Sequence, residues 1–204
     1  MSEAKYTMIT VAACDPSFMA DAIPLTVKLA GELIEKAGSI GARAGTVVTG
    51  QEVGSLFLAQ TYSEIAGIER AFELYASSDT YSALINSGKI SVSARAILKL
   101  EDVSIEPTPG ETPGYLVLTR WKAADPMTGR AKKLLPVFEE NGAMLARYGT
   151  SIAGPMAGAR VLGVAYPSMD AIEKTYNALS ANKDYQSFVS DVEIVSRNII
   201  KIAG

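Results

Sequence analysis

Apolar residues recur along this chain at strand spacing and then at helical spacing, and each switch marks an element. Residues 6–13 are apolar and β-branched, which predicts a first strand. Asp15-Pro16 marks a turn and a helix start. Over residues 22–36, Ile23, Val27, Ala30, Leu33 and Ile34 recur at helical spacing; Pro24 fits the first turn, and Gly38 and Gly41 end the helix. Residues 43–49 and 55–62 predict two more strands, joined by a hairpin through Gly50-Gln51-Glu52-Val53-Gly54. Residues 64–77 predict a second helix, with Ile65, Ile68, Phe72 and Tyr75 on one face. Residues 79–86 add a helical turn or two, and residues 92–100 a fourth strand. The order β-α-β-β-α-β is the ferredoxin-like split unit.

The same pattern then returns. Residues 42–82 match residues 146–186 without a gap: Ala42/Ala146, Arg43/Arg147, Gly45/Gly149, Thr46/Thr150, Gly50/Gly154, Gly54/Gly158, Leu58/Leu162, Tyr62/Tyr166, Ile68/Ile172, Glu69/Glu173 and Tyr81/Tyr185. Those are eleven identities in 41 positions, where ordinary composition gives about 3. The second copy opens with a strand at residues 115–121, and its Asp125-Pro126 matches Asp15-Pro16. Its first helix, residues 129–141, is shorter and carries Pro136 inside, which predicts a kink or a late start. The second hairpin is Gly154-Pro155-Met156-Ala157-Gly158, and the next helix covers residues 168–179. In the fourth strand the offset becomes 102, with Arg95/Arg197, Ile97/Ile199 and Lys99/Lys201 coinciding. The chain therefore divides into a first repeat (1–103), a Pro/Gly-rich connector (104–114) and a second repeat (115–204).

A four-stranded antiparallel sheet with helices on one face leaves its other face bare. Leu56-Phe57-Leu58-Ala59 and Val161-Leu162-Gly163-Val164 are apolar on both faces, as a doubly covered sheet requires. Each repeat is the natural cover for the other, giving an α+β barrel within one chain. This arrangement, with Gly45-Thr46…Gly50…Gly54…Leu58…Tyr62 repeated as Gly149-Thr150…Gly154…Gly158…Leu162…Tyr166, resembles the dimeric α+β barrel superfamily. The resemblance covers nearly the whole chain and is to antibiotic-biosynthesis-monooxygenase-like and NIPSNAP-like proteins, here fused in tandem. The superfamily includes cofactor-free oxygenases, isomerases, haem enzymes and proteins without known activity, so the resemblance implies the fold and leaves the function open.

Composition narrows the chemistry. The chain has 204 residues, 48% of them hydrophobic, enough for one large or two small cores. A net charge of −3 leaves no basic footprint, so no nucleic-acid partner is expected. The longest apolar runs are strand-sized, so no membrane partner is expected either. Residues 1–5 lack a signal-peptide pattern, and the single Cys14 cannot close an intrachain disulfide; a cytoplasmic protein is the expectation. The chain has no histidine. That removes the commonest general base, zinc ligand and proximal haem ligand, and departs from the superfamily's haem branches. No carboxylate or cysteine cluster suits a metal, and no cofactor is expected.

Candidate site residues each have a functional and a structural use. Arg43, Arg147, Arg95 and Arg197 occur in matching strands of both copies; they suit a ligand carboxylate or enolate, or they cover apolar surface at a sheet edge. Arg120-Trp121-Lys122 breaks the symmetry, standing where an ungapped match puts Thr10-Val11-Ala12; the locus is either a pocket or a core anchor. Asp125, like Asp15, is a general base or a cap. Tyr166 and Tyr62 donate to a ligand carbonyl or pack at strand ends. The catalytic set expected is Arg120, Trp121, Asp125 and Tyr166; the ligand-binding set is Arg43, Arg147, Arg95, Arg197 and Tyr62. Three readings follow. One is a cofactor-independent monooxygenase or isomerase acting on a small organic molecule in a pocket near Arg120 and Trp121. The second is a non-catalytic binder, and the third an assembly protein with a side-chain-filled barrel. Self-association takes one of two forms, a pseudo-dimeric monomer or a homodimer.

Overall fold

The computed structural model describes residues 3–203. The first repeat runs β1 (Tyr6–Cys14), a 3-10 turn (Pro16–Phe18), α1 (Met19–Ala37), β2 (Gly41–Val47), β3 (Leu56–Tyr62), α2 (Ala66–Ser77), α3 (Asp79–Asn86) and β4 (Ile90–Ile105). The second runs β5 (Tyr115–Lys122), α4 (Thr128–Glu140), β6 (Leu145–Ala153), β7 (Arg160–Tyr166), α5 (Met169–Ala181), α6 (Lys183–Ser190) and β8 (Glu193–Ala203). The strands close into one barrel in the order β1-β3-β2-β8-β5-β7-β6-β4. Each repeat keeps its own antiparallel sheet, and the two sheets join edge to edge at β2–β8 and β4–β6. Among the described residues no strand edge is left open, and both bare sheet faces turn into the lumen.

The seams explain one repeated glycine. A Cβ on Gly45 would lie 2.4 Å from the Lys201 carbonyl oxygen, and one on Gly149 would lie 2.5 Å from that of Lys99. Any side chain there would push the two halves apart.

Three apolar cores result. One lies between the first sheet and α1–α3, and a second between the second sheet and α4–α6. The third is the lumen belt of Ile9, Val11, Val47, Phe57, Leu98, Leu118, Val161 and Ile200. The halves differ most where α4 replaces α1. At 13 residues against 19, α4 covers less of its sheet. Trp121 and Tyr148 fill the difference, standing where Ala12 and Ala44 stand in the first half, with rings stacked 5.5 Å apart.

Local expectations need four corrections. β4 continues five residues past Leu100, because Val103 and Ile105 keep a strand alternation and bury under α4. Its first part pairs with β1 and its last part with β6, so one strand stitches the repeats together. Pro24 lies beyond the first turn of α1, which starts earlier than the periodicity predicted. Pro136 does not delay α4, which begins at Thr128. Finally, Tyr6 pairs with Tyr62 and Tyr115 with Tyr166, and Thr10 and Thr119 each accept a hydrogen bond from the matching Arg95 or Arg197. Arg120-Trp121-Lys122 therefore corresponds to Val11-Ala12-Ala13, one residue away from the ungapped match.

Candidate functional site

Successive residues of a strand face opposite sides of its sheet. Arg120 and Trp121 therefore cannot share a pocket, and they do not. Trp121 is buried beneath α4 and α6, stacked on Tyr148 and edge-on to Phe188. Arg120 points into the lumen. Tyr166 lies in the same sheet–helix core as Trp121, fully buried, with no partner for its hydroxyl; burial holds that hydroxyl protonated. Asp125 is exposed, and its carboxylate accepts from the Met127 backbone N–H at 2.7 Å, closing the turn before α4. The four residues expected to be catalytic thus occupy three separate environments.

The expected ligand residues also divide. Tyr62 is buried and donates to Gln60 Oε1 at 2.5 Å, while Gln60 donates to Tyr75; in the second half Val164 replaces Gln60, which leaves Tyr166 unpaired. Arg95 lies over Phe72 and Tyr75 and donates to Thr10 Oγ1. Arg197 lies over Tyr176 and donates to Thr119 Oγ1 and Tyr185. Both clamp helices onto a sheet, in spaces of only about 40 Å³. Arg43 and Arg147 line one mouth of the lumen.

Both ends of the lumen are hollow, which a side-chain-filled barrel would not be. The chamber beside the connector holds about 210 Å³ and the one beneath the two hairpins about 520 Å³; Ile9 alone lines both.

The hairpin chamber is polarised. Five pairs of matched positions from the two repeats line it: Val11/Arg120, Gln51/Pro155, Glu52/Met156, Ala94/Ser196 and Ala96/Asn198. On the β2–β8–β5 side stand Gln51, Glu52, Arg120, Ser196 and Asn198; on the β6–β4–β1 side stand Pro155, Met156, Val11, Ala94 and Ala96. Every polar member lies on one side and every apolar member on the other. Among the described residues Arg120 has no carboxylate within ion-pair distance and no hydrogen-bond acceptor. Burial pulls its guanidinium below its usual value, and the charge of Glu52 offsets part of that. The Ser196 hydroxyl, paired across from Arg120, is buried without a partner. A buried hydroxyl without an acceptor is costly, and a half-buried guanidinium without one is free for a ligand oxygen.

Glu52, Ser196 and Asn198 escaped the sequence reading. The signal was available as asymmetry, since a charge replaces Met156 in one hairpin and polar groups replace two alanines in one strand. A haem does not fit. The sheet–helix spaces are too small for a macrocycle, no histidine can serve as axial ligand, and among the described residues no group of three or more His, Cys, Asp or Glu could hold a metal. Among those residues no helix is long and apolar enough to cross a membrane.

The family profile described as Domain of unknown function (DUF6854) matches residues 4–100 and again 113–202. No curated protein matches the chain in sequence. Among solved structures it is similar to a candidate monooxygenase from Fusobacterium nucleatum subsp. nucleatum, at 11% identity over 99% of this chain and 93% of that one, with a TM-score of 0.69. A variant chlorite dismutase from Candidatus Nitrospira defluvii aligns at 7% identity over 98% and 91%, with a TM-score of 0.62. An anthrone oxidase-like protein aligns at 11% identity over 99% and 92%, with a TM-score of 0.52. These likenesses are of fold, a closed α+β barrel with both units in one chain.

Proposed function

The chain belongs to the DUF6854 family, carrying its domain twice, and we propose that its hairpin chamber performs cofactor-independent chemistry on a small, partly apolar carbon acid. The observation that carries this reading is the polarised wall, with Glu52, Arg120, Ser196 and Asn198 facing Met156, Val11, Ala94 and Ala96 across about 520 Å³. That volume is in the usual range for a small-molecule site.

The apolar side holds the hydrocarbon body. A C–H proton of the substrate passes to the Glu52 carboxylate, and its electron pair moves onto a conjugated carbonyl oxygen. The enolate so formed is held by the Arg120 guanidinium, with the Ser196 hydroxyl and the Asn198 amide as further donors. Return of the proton to another carbon is isomerisation. Capture of dioxygen by the same carbanion, followed by loss of water, converts CH2 to C=O with the substrate as reductant. Arginine suits the oxyanion because it stays charged even when partly desolvated.

One structural neighbour is described as anthrone oxidase-like, and anthrone carries a CH2 conjugated through its rings to a carbonyl. Incubation with anthrone in air, followed by oxygen uptake and quinone absorbance, tests the reading. Wild-type turnover should exceed that of Glu52→Gln by about 100-fold and that of Arg120→Val by a similar factor. Turnover indifferent to both substitutions would remove the chamber from the chemistry. Saturable binding without turnover would make the protein a binder.

A further inference from the structure

At the opposite mouth, the chamber of about 210 Å³ has an apolar wall that includes Phe57, Leu98, Leu116 and Ile202, with Arg43 and Arg147 at its rim. The two arginines are matched residues in different states. Arg147 is half-buried, donating to Glu106 Oε2 at 2.7 Å and to the Ile105 and Ala146 carbonyls. Arg43 is exposed and donates only to the carbonyl of its own neighbour Ala42, at 2.9 Å, with no carboxylate partner among the described residues. One guanidinium is thus tied to the connector, and the other stands free beside an apolar cavity.

The cavity is not forced by the backbone. Gly163, on the lumen side of β7, has only ordinary contacts for an added Cβ, the nearest being Leu116 Cδ1 at 3.5 Å and Leu118 Cδ1 at 3.6 Å. This contrasts with Gly45 and Gly149, where a Cβ would strike a backbone oxygen. A larger side chain at Gly163 would fill space that currently forfeits dispersion contacts. The residue is smaller than packing alone requires.

We propose that this chamber is a second binding site, separate from the hairpin chamber, for a monocarboxylic acid with an unbranched apolar tail. The carboxylate sits on Arg43 and the tail runs down the lumen toward the belt of Phe57, Leu98, Leu118 and Val161. A free guanidinium at a cavity mouth supplies the fork that matches a carboxylate, and the apolar wall takes the chain. The site needs no proton transfer and none of the hairpin chamber's polar residues.

The test is titration calorimetry on the full chain carrying Glu52→Gln, so that failure of the proposed chemistry leaves this result unaffected. Straight-chain alkanoates from hexanoate to decanoate should tighten about fourfold per CH2 until the chamber is full. Arg43→Met should weaken octanoate about tenfold and leave 1-octanol unchanged. Gly163→Val should abolish binding of both while the Tm rises by a few degrees, which separates a filled chamber from a misfolded one. Absence of saturable binding at every chain length, or equal losses of octanoate and octanol in Arg43→Met, overturns the proposal. So does undiminished binding in Gly163→Val.

Discussion

Replacing Arg120 with valine restores the residue that the first repeat carries at the same place. Val11 is 3% exposed and packs in the lumen belt, so the barrel already accommodates valine at this position. The guanidinium it would replace is half-buried and has no protein acceptor, and it carries part of the cost of about 1–3 kcal/mol that a fully buried unpaired donor would. Loss of packing from the arginine stem returns part of that. The net expectation is a stabilisation of about 0.5–1 kcal/mol, a rise in Tm of roughly 1–4 °C for a chain of this size. Urea denaturation with an unchanged slope, supported by calorimetry, measures it. Arg120→Val should be more stable and inactive together, the trade expected where a site is held unsatisfied for its ligand. If the variant instead loses more than about 1 kcal/mol, Arg120 is holding the barrel together and the argument from its missing acceptor fails.

Three further outcomes follow from the same geometry. Trp121→Ala should cost about 3–5 kcal/mol, and a double-mutant cycle with Tyr148→Ala should return about 1 kcal/mol of coupling from the stacked rings, without altering lumen binding; urea midpoints decide it. Gly149→Ala should destabilise by about 2 kcal/mol because its Cβ meets the Lys99 carbonyl oxygen at 2.5 Å across the β4–β6 seam, and a neutral result in calorimetry would contradict the seam account. Glu32 accepts from Thr80 at 2.6 Å and Ser78 at 2.7 Å, and these bonds hold its carboxyl below the usual value. Its contribution is present above the unfolded value of about 4.3 and is lost as pH falls through the lower folded value. Below pH of about 4, wild type should therefore lose roughly 0.5–1 kcal/mol more than Glu32→Gln, a modest figure because solvent screens the site.

How much of this was legible in the sequence depends on what each residue answers to. The repeated glycines and tyrosines answer to barrel closure: Gly45 and Gly149 sit at the seams, and Tyr62 and Tyr166 sit beneath the helices. The duplication therefore led directly to the fold. The site is written in departures from the repeat, and those are visible only with the register right. An ungapped match set Arg120 against Thr10 and hid its exchange with Val11. Strand parity alone separates Arg120 from Trp121, because neighbouring residues of a strand face opposite sides of its sheet. Glu52 lies inside a glycine-bounded hairpin, where turn chemistry masks its charge as a site signal. The shorter α4 could be read, but its consequence could not. Nothing local says that Trp121 and Tyr148 replace two alanines to fill the space a longer helix would cover.

Proton abstraction in the hairpin chamber is the central claim, and hydrogen–deuterium exchange on substrate carbon tests it without relying on oxygen. A panel of small carbon acids that includes anthrone would be held with the protein in D2O under nitrogen and followed by NMR. The account predicts exchange at the acidic carbon of at least one member that is about 100-fold faster with wild type than with Glu52→Gln and that collapses in Arg120→Val. Exchange no faster than in buffer across the panel, or equally fast in both variants, would contradict it.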